Sequence, residues 1–183
     1  MDSSTTVLII AAIGAIVIIV GAVSFLTRRR NSARLRSSFG AEYDRTLEAQ
    51  GDQRKAEQEL RDRQKRVSGF ELTPLTMASR DNFVARWRDI QAEFVDQPKT
   101  ALDKADNLLT EVMRARGYPV EDFEQRTSDL SVDHPDVVQN YRAGRDIALR
   151  HQRGDASTED LRQAMIHYRA LFDELVGEVA DAS

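Results

Sequence analysis

Few residues in this chain are arranged to do chemistry. His134, His151 and His167 stand far apart in sequence, with no His-Glu-x-x-His or comparable ligand spacing, so no metal site is expected. Asp133 and His134 adjoin, which is the one place where a base meets an orienting acid. They sit in a turn before Pro135, however, where such residues more often cap a helix. Glu121, Asp122 and Glu124 would make a carboxylate cluster, but they fall in the first turn of an expected helix, where the backbone dipole already favours negative charge. Arg114 and Arg116 fall in a last turn before Gly117, and the same dipole explains them without an anion clamp.

Two arginine groups are more pointed. Arg28, Arg29, Arg30, Arg34 and Arg36 follow an apolar run with no acid among them. Arg142, Arg145, Arg150 and Arg153 form a candidate anion or partner surface on one helix, against the plainer reading of a solvated charged face. Cysteine is absent, which removes disulfides, thiolate metal sites and a thiol nucleophile. No glycine-rich phosphate loop, Gly-x-Ser-x-Gly elbow or aromatic-basic surface for stacking nucleic-acid bases occurs. The sequence therefore yields no catalytic residue, cofactor or metal ligand, and the expectation is a protein that is not an enzyme.

The elements that would position these residues divide the chain unevenly. Residues 7–26 are twenty consecutive residues without a charge, which as a helix span roughly 30 Å, the thickness of a bilayer core. No Lys or Arg precedes the run and five arginines follow it, so the positive-inside rule puts the amino terminus outside and the rest in the cytoplasm. A cleaved secretory signal ending at Ala22-Val23-Ser24 fits less well, because the leading segment is acidic and the run exceeds the roughly 7 to 15 residues usual there. Ala11, Gly14, Ala15, Gly21 and Ala22 outline a small-residue face that would allow self-association, although no Gly-x-x-x-Gly occurs. The whole protein carries −4 at pH 7 with the collar arginines included, so the remainder is distinctly acidic and nucleic acid is not an expected partner.

Beyond the collar the pattern is helical throughout, with no strand signal. Residues 41–66 are sparsely apolar, with Tyr43, Leu47, Ala56 and Leu60 as candidates for burial. Glu57 with Arg61, Glu59 with Arg63 and Asp62 with Arg66 are acid-before-base pairs at i,i+4. A stalk and an edge helix of the bundle are equal readings, with Gly51-Asp52 splitting the run and Asp52 capping its second half.

Phe83, Trp87, Ile90 and Phe94 draw one apolar stripe behind Ser79 as the expected cap. Leu102, Ala105, Leu108, Leu109, Val112 and Met113 draw a second. A short helix is expected over 120–130 and another from Pro135 to His151, with Val137, Tyr141, Gly144 and Ala148 facing one way. The last begins at Ser157-Thr158-Glu159-Asp160 and carries Leu161, Ala164, Met165, Tyr168, Leu171, Phe172, Leu175 and Val176 at helical spacing. Such a stripe must be covered, and the Trp87 helix is the economical cover.

The run Arg114-Ala-Arg-Gly-Tyr-Pro-Val-Glu-Asp-Phe-Glu-Gln-Arg126, with Leu130-Ser-Val-Asp-His-Pro135 and Asn140-Tyr141-Arg142, resembles a group of bacterial membrane or secreted proteins. The resemblance covers about 35–176 and implies no activity, ligand or catalytic residue.

The expected architecture is all-α: a tail at 1–6, a transmembrane helix at 7–26, a basic juxtamembrane linker at 27–40 and an exposed or stalk helix at 41–70. A bundle at 71–178, bringing the helices to about five or six, and a tail at 179–183 complete it. The expected role is a single-pass inner-membrane adaptor, scaffold or regulatory subunit. Its partners would be the bilayer and an unidentified protein or a second copy, with anionic lipid headgroups as the alternative.

Overall fold

The computed structural model describes residues 3–177, with side chains from 19 onward except that of Arg28. Among these residues the protein is all-α: α1 (Ser3–Phe39), α2 (Ala41–Gln50), α3 (Gln53–Val67), α4 (Met77–Glu93), α5 (Pro98–Ala115), α6 (Phe123–Asp133), α7 (Pro135–Gln152) and α8 (Thr158–Gly177). They fall into two compact units, Met1–Ser38 and Phe39–Ser183.

The first unit is a single helix. The expected linker over 27–40 is helical instead, since residues 28–39 contain neither Pro nor Gly and are rich in helix-tolerant arginine. The helix breaks at Gly40, whose φ of 49° is ready for glycine and strained for other residues. Among the described residues no helix is long and apolar enough to cross a membrane. Residues 7–18 of the expected span, the small residues Ala11, Gly14 and Ala15, and the tails at 1–6 and 179–183 lie outside the residues whose side chains are described.

In the second unit, α4, α5, α7 and α8 enclose the core, and α6 contributes Leu130. α8 lies against α7 and α5, and α4 packs on α5. All eight apolar side chains of the α8 stripe are buried, as are Phe83, Trp87 and Ile90 of α4, and Trp87 stacks on Phe172 with ring centroids 4.5 Å apart. A buried aromatic pair of this kind contributes more than its area alone.

Local chemistry explains the helix ends. Thr76, not Ser79, caps α4: its hydroxyl accepts from the Ser79 amide at 3.2 Å, so the helix begins two residues before Ser79. Asp52 caps α3 and Asp122 caps α6, each through the amide three residues on. At α8, the Ser157 amide and hydroxyl both donate to Asp160 while the Asp160 amide donates back to the Ser157 hydroxyl, a reciprocal box.

α2 and α3 are not a free stalk. They pair with each other and pack on α7 and α6 respectively. Tyr43, Ala56, Leu60 and Val67 are buried there, while Leu47 stays partly exposed. Glu57 and Glu59 pair with Arg61 and Arg63 at i,i+4 as the sequence suggests, but Arg66 turns to Asp129 of α6 in place of Asp62.

Candidate interaction surface

The arginine stripe of α7 is built into the fold, and its cations are matched by acids. Arg142 reaches Glu42 of α2 with Nε at 3.2 Å and Glu124 of α6 with Nη1 at 2.9 Å. Arg145 donates from Nη1 to Asp106 Oδ2 of α5 at 3.3 Å, and its guanidinium carbon lies 5.6 Å from the Phe123 ring centroid. Arg150 meets Asp146 at 3.3 Å and Asp160 at 3.9 Å, and Arg153 meets Asp155 at 3.7 Å. Each of these four positive charges is opposed by an acid at contact distance, which weakens the field that the stripe presents to a polyanion.

What remains is an open groove of about 700 Å³, bordered by Arg45, Phe123, Gln139, Arg142, Arg145 and Leu149. Asp122, Glu124 and Asp146 share its rim. Its lining thus mixes three cations and three acids with the apolar side chains of Phe123, Ala143 and Leu149.

Behind the groove a buried polar network joins α5, α6 and α7. Arg126 Nη1 donates to Thr110 Oγ1 at 2.6 Å and to the Tyr141 hydroxyl at 2.8 Å, and that hydroxyl donates to Asp106 Oδ1 at 3.1 Å. Burial first, and then the Asp106 charge, push the Tyr141 hydroxyl well above the ordinary tyrosine range; burial does the same to Tyr168. Both stay protonated at neutral pH, and the Tyr141 hydroxyl serves the network as a donor to Asp106. Sequence spacing holds a trace of it: Asp106 is four residues after Leu102 and three before Leu109, which puts a carboxylate at the edge of an apolar stripe.

The acid and base at the α6–α7 turn do not form a pair. Asp133 Oδ2 accepts from the Tyr118 hydroxyl at 2.8 Å, whereas buried His134 contacts Glu174 of α8 through Nδ1 at 3.1 Å. Glu174 lies forty residues away, and nothing local announces it. His151 faces the Ala156 carbonyl and His167 faces Asn140 Oδ1, so the three imidazoles serve separate joints. Among the described residues no group of three or more His, Asp or Glu is arranged to hold a metal ion. Arg116 is buried and donates to the Leu175 carbonyl at 3.2 Å, which ties α5 to the end of α8. Glu121 and Asp122 remain exposed at the start of α6, and Glu124 is committed to Arg142.

In the collar, Arg29, Arg30 and Arg34 are exposed on α1, and among the described residues no acid pairs with them. The Arg29 guanidinium lies 5.5 Å from the Phe25 ring centroid. The side chain of Arg28 lies outside the described residues, and Arg36 is exposed. Just before them Ile19, Val20, Val23, Phe25 and Leu26 are each 53–60% exposed. Compared with known families, curated proteins and solved structures, the chain matches none.

Proposed function

We propose that this protein is a single-pass, membrane-anchored helical module that works through protein contacts, as an adaptor, scaffold or regulatory subunit. The observation that carries this reading is the uncovered apolar surface of α1: five large apolar side chains within eight residues are more than half exposed. Gly21, Ala22 and Ser24 fill the positions between them, so no charged side chain stands on any face of this stretch, and such a surface favours a nonaqueous surrounding. The uncharged sequence over 7–26 extends the same surface to bilayer length. Exposed arginines directly after it support an orientation with the bundle in the cytoplasm. The mixed polar and apolar groove on α6 and α7 supports a protein as the partner.

Extracted in mild detergent and sized by light scattering, the full chain is expected in a stoichiometric complex with a partner or with itself. Recovery as a lone monomer at every concentration would argue against contact as its function.

A second reading has its own support. Arg29, Arg30 and Arg34 are exposed, with no acid partner among the described residues, an arrangement suited to anionic lipid headgroups. Flotation of a chain beginning at residue 28 with anionic vesicles tests it: binding should fall with added salt, and binding indifferent to salt and lipid charge ends that reading.

A further inference from the structure

The α2–α3 hairpin meets the rest of its unit through ions. Glu42, 0% exposed, accepts from Gln139 Nε2 at 2.6 Å, from Arg142 Nε at 3.2 Å and from Arg63 Nη1 at 3.3 Å. Arg63 also reaches Ser131 Oγ at 3.4 Å and pairs with Glu59. Further along, Arg66 Nη2 meets Asp129 Oδ1 at 2.6 Å, and Gln125 donates to the same oxygen. The apolar side chains that the hairpin buries, Tyr43, Ala56, Leu60 and Val67, are not part of the contiguous core formed by α4 to α8. Two buried atoms of these helices, Thr46 Oγ1 and Asp129 Oδ2, have no hydrogen-bond partner among the described residues.

The physical consequence is a difference in what opening costs. Stripping water from Glu42, Arg63, Arg142 and Asp129 is unfavourable, and their mutual attraction does little more than offset it. The two unpartnered atoms add a further penalty that water would relieve. Separating α8 from α5, by contrast, exposes Leu108, Leu109, Val112, Leu171 and Leu175, with no such return. The hairpin is also well tied to itself. The Tyr43 hydroxyl donates to Glu57 at 3.0 Å, Gln50 bonds to Glu59 across the turn, and Asp52 caps α3.

We infer that α2–α3 is a reversibly docked strap, latched by Glu42, which lifts as one piece while α4, α5, α7 and α8 stay packed. Lifting it bares Asp129 and Ser131, which are buried in the docked state, and frees the half-buried Gln139 and Arg142 from Glu42.

Native-state hydrogen exchange on the full chain in detergent tests it. The amides of α2 and α3 should exchange together, at least about tenfold faster than those of α5 and α8 and with a weaker dependence on added denaturant. Glu42→Gln should speed exchange in α2 and α3 by roughly a further tenfold and leave α5 and α8 unchanged. If the hairpin amides share the rate and denaturant slope of α8, there is no separate strap. If Glu42→Gln leaves hairpin exchange unaltered, or speeds every helix equally, Glu42 is not its latch. Should that variant fail to fold, the wild-type profile alone decides whether the hairpin opens separately.

Discussion

Gly144 lies directly beneath the ring of Tyr168: a Cβ placed on residue 144 would stand 2.5 Å from Tyr168 Cε1 and 2.6 Å from Cδ1. This is why α7 and α8 can approach so closely. The Tyr168 ring is fully buried and tilted against Tyr141, with centroids 5.8 Å apart, so it has little room to swing away. In Gly144→Ala the better helix propensity would contribute about 1 kcal/mol. Overpacking would cost about 1–3 kcal/mol. The expected net result is a loss of about 0–2 kcal/mol in urea unfolding, and a gain in stability would show that the ring yields freely.

Trp87 is the only tryptophan, and it stacks on Phe172 at an interplanar angle of 15°. Trp87→Ala removes a buried ring from the joint between α4 and α8 and should cost about 3–5 kcal/mol. Its indole nitrogen is buried without a protein partner, so Trp87→Phe loses volume but no hydrogen bond and should cost clearly less. Unfolding followed by circular dichroism compares the two, since fluorescence would disappear with the ring. Equal losses in both variants would rule out stacking area as the stabilising feature.

Arg86 holds the Glu111 carboxyl below its ordinary 4.5, chiefly by hydrogen bonding, with both Nη atoms on the carboxylate at 2.6 and 2.9 Å. A folded-state value depressed in this way means that the contribution is fully present above pH 4.5 and fades as the pH falls through the folded-state value. Both side chains are 42% exposed, so solvent screening limits the pair to about 0.5 kcal/mol. Arg86→Ala should therefore lose about that much at neutral pH and nothing well below pH 4.5. A difference that grows toward acid would reverse the assignment.

Apolar periodicity made the bundle readable. The stripes through Leu108 and Leu109, and through Leu171 and Phe172, are buried at the positions that helical spacing marks. What periodicity could not show is a charged residue placed inside. Glu42 sits on a sparsely apolar helix, and its neighbours Gln139 and Arg142 lie about a hundred positions away, so no local rule connects them. The acids that meet the arginines of α7 are hidden from local reading for the same reason: Glu42, Asp106 and Glu124 come from three other helices. The helix start at Thr76 was missed because Ser79 is an equally good cap by type, and only the backbone decides which hydroxyl receives the amide.

Residues 7–26 are proposed to hold this protein in a bilayer, and partition of the full chain tests this. Membranes from cells making the protein are washed in alkaline carbonate, and pellet and supernatant are compared with those of a variant carrying Ile16→Asp and Val20→Asp. Each aspartate near the middle of a span opposes insertion by about 3 kcal/mol. The account predicts that the wild-type chain stays in the pellet and that the variant moves to the supernatant. Wild-type protein released by the wash, or a variant retained as firmly as the wild type, would contradict it.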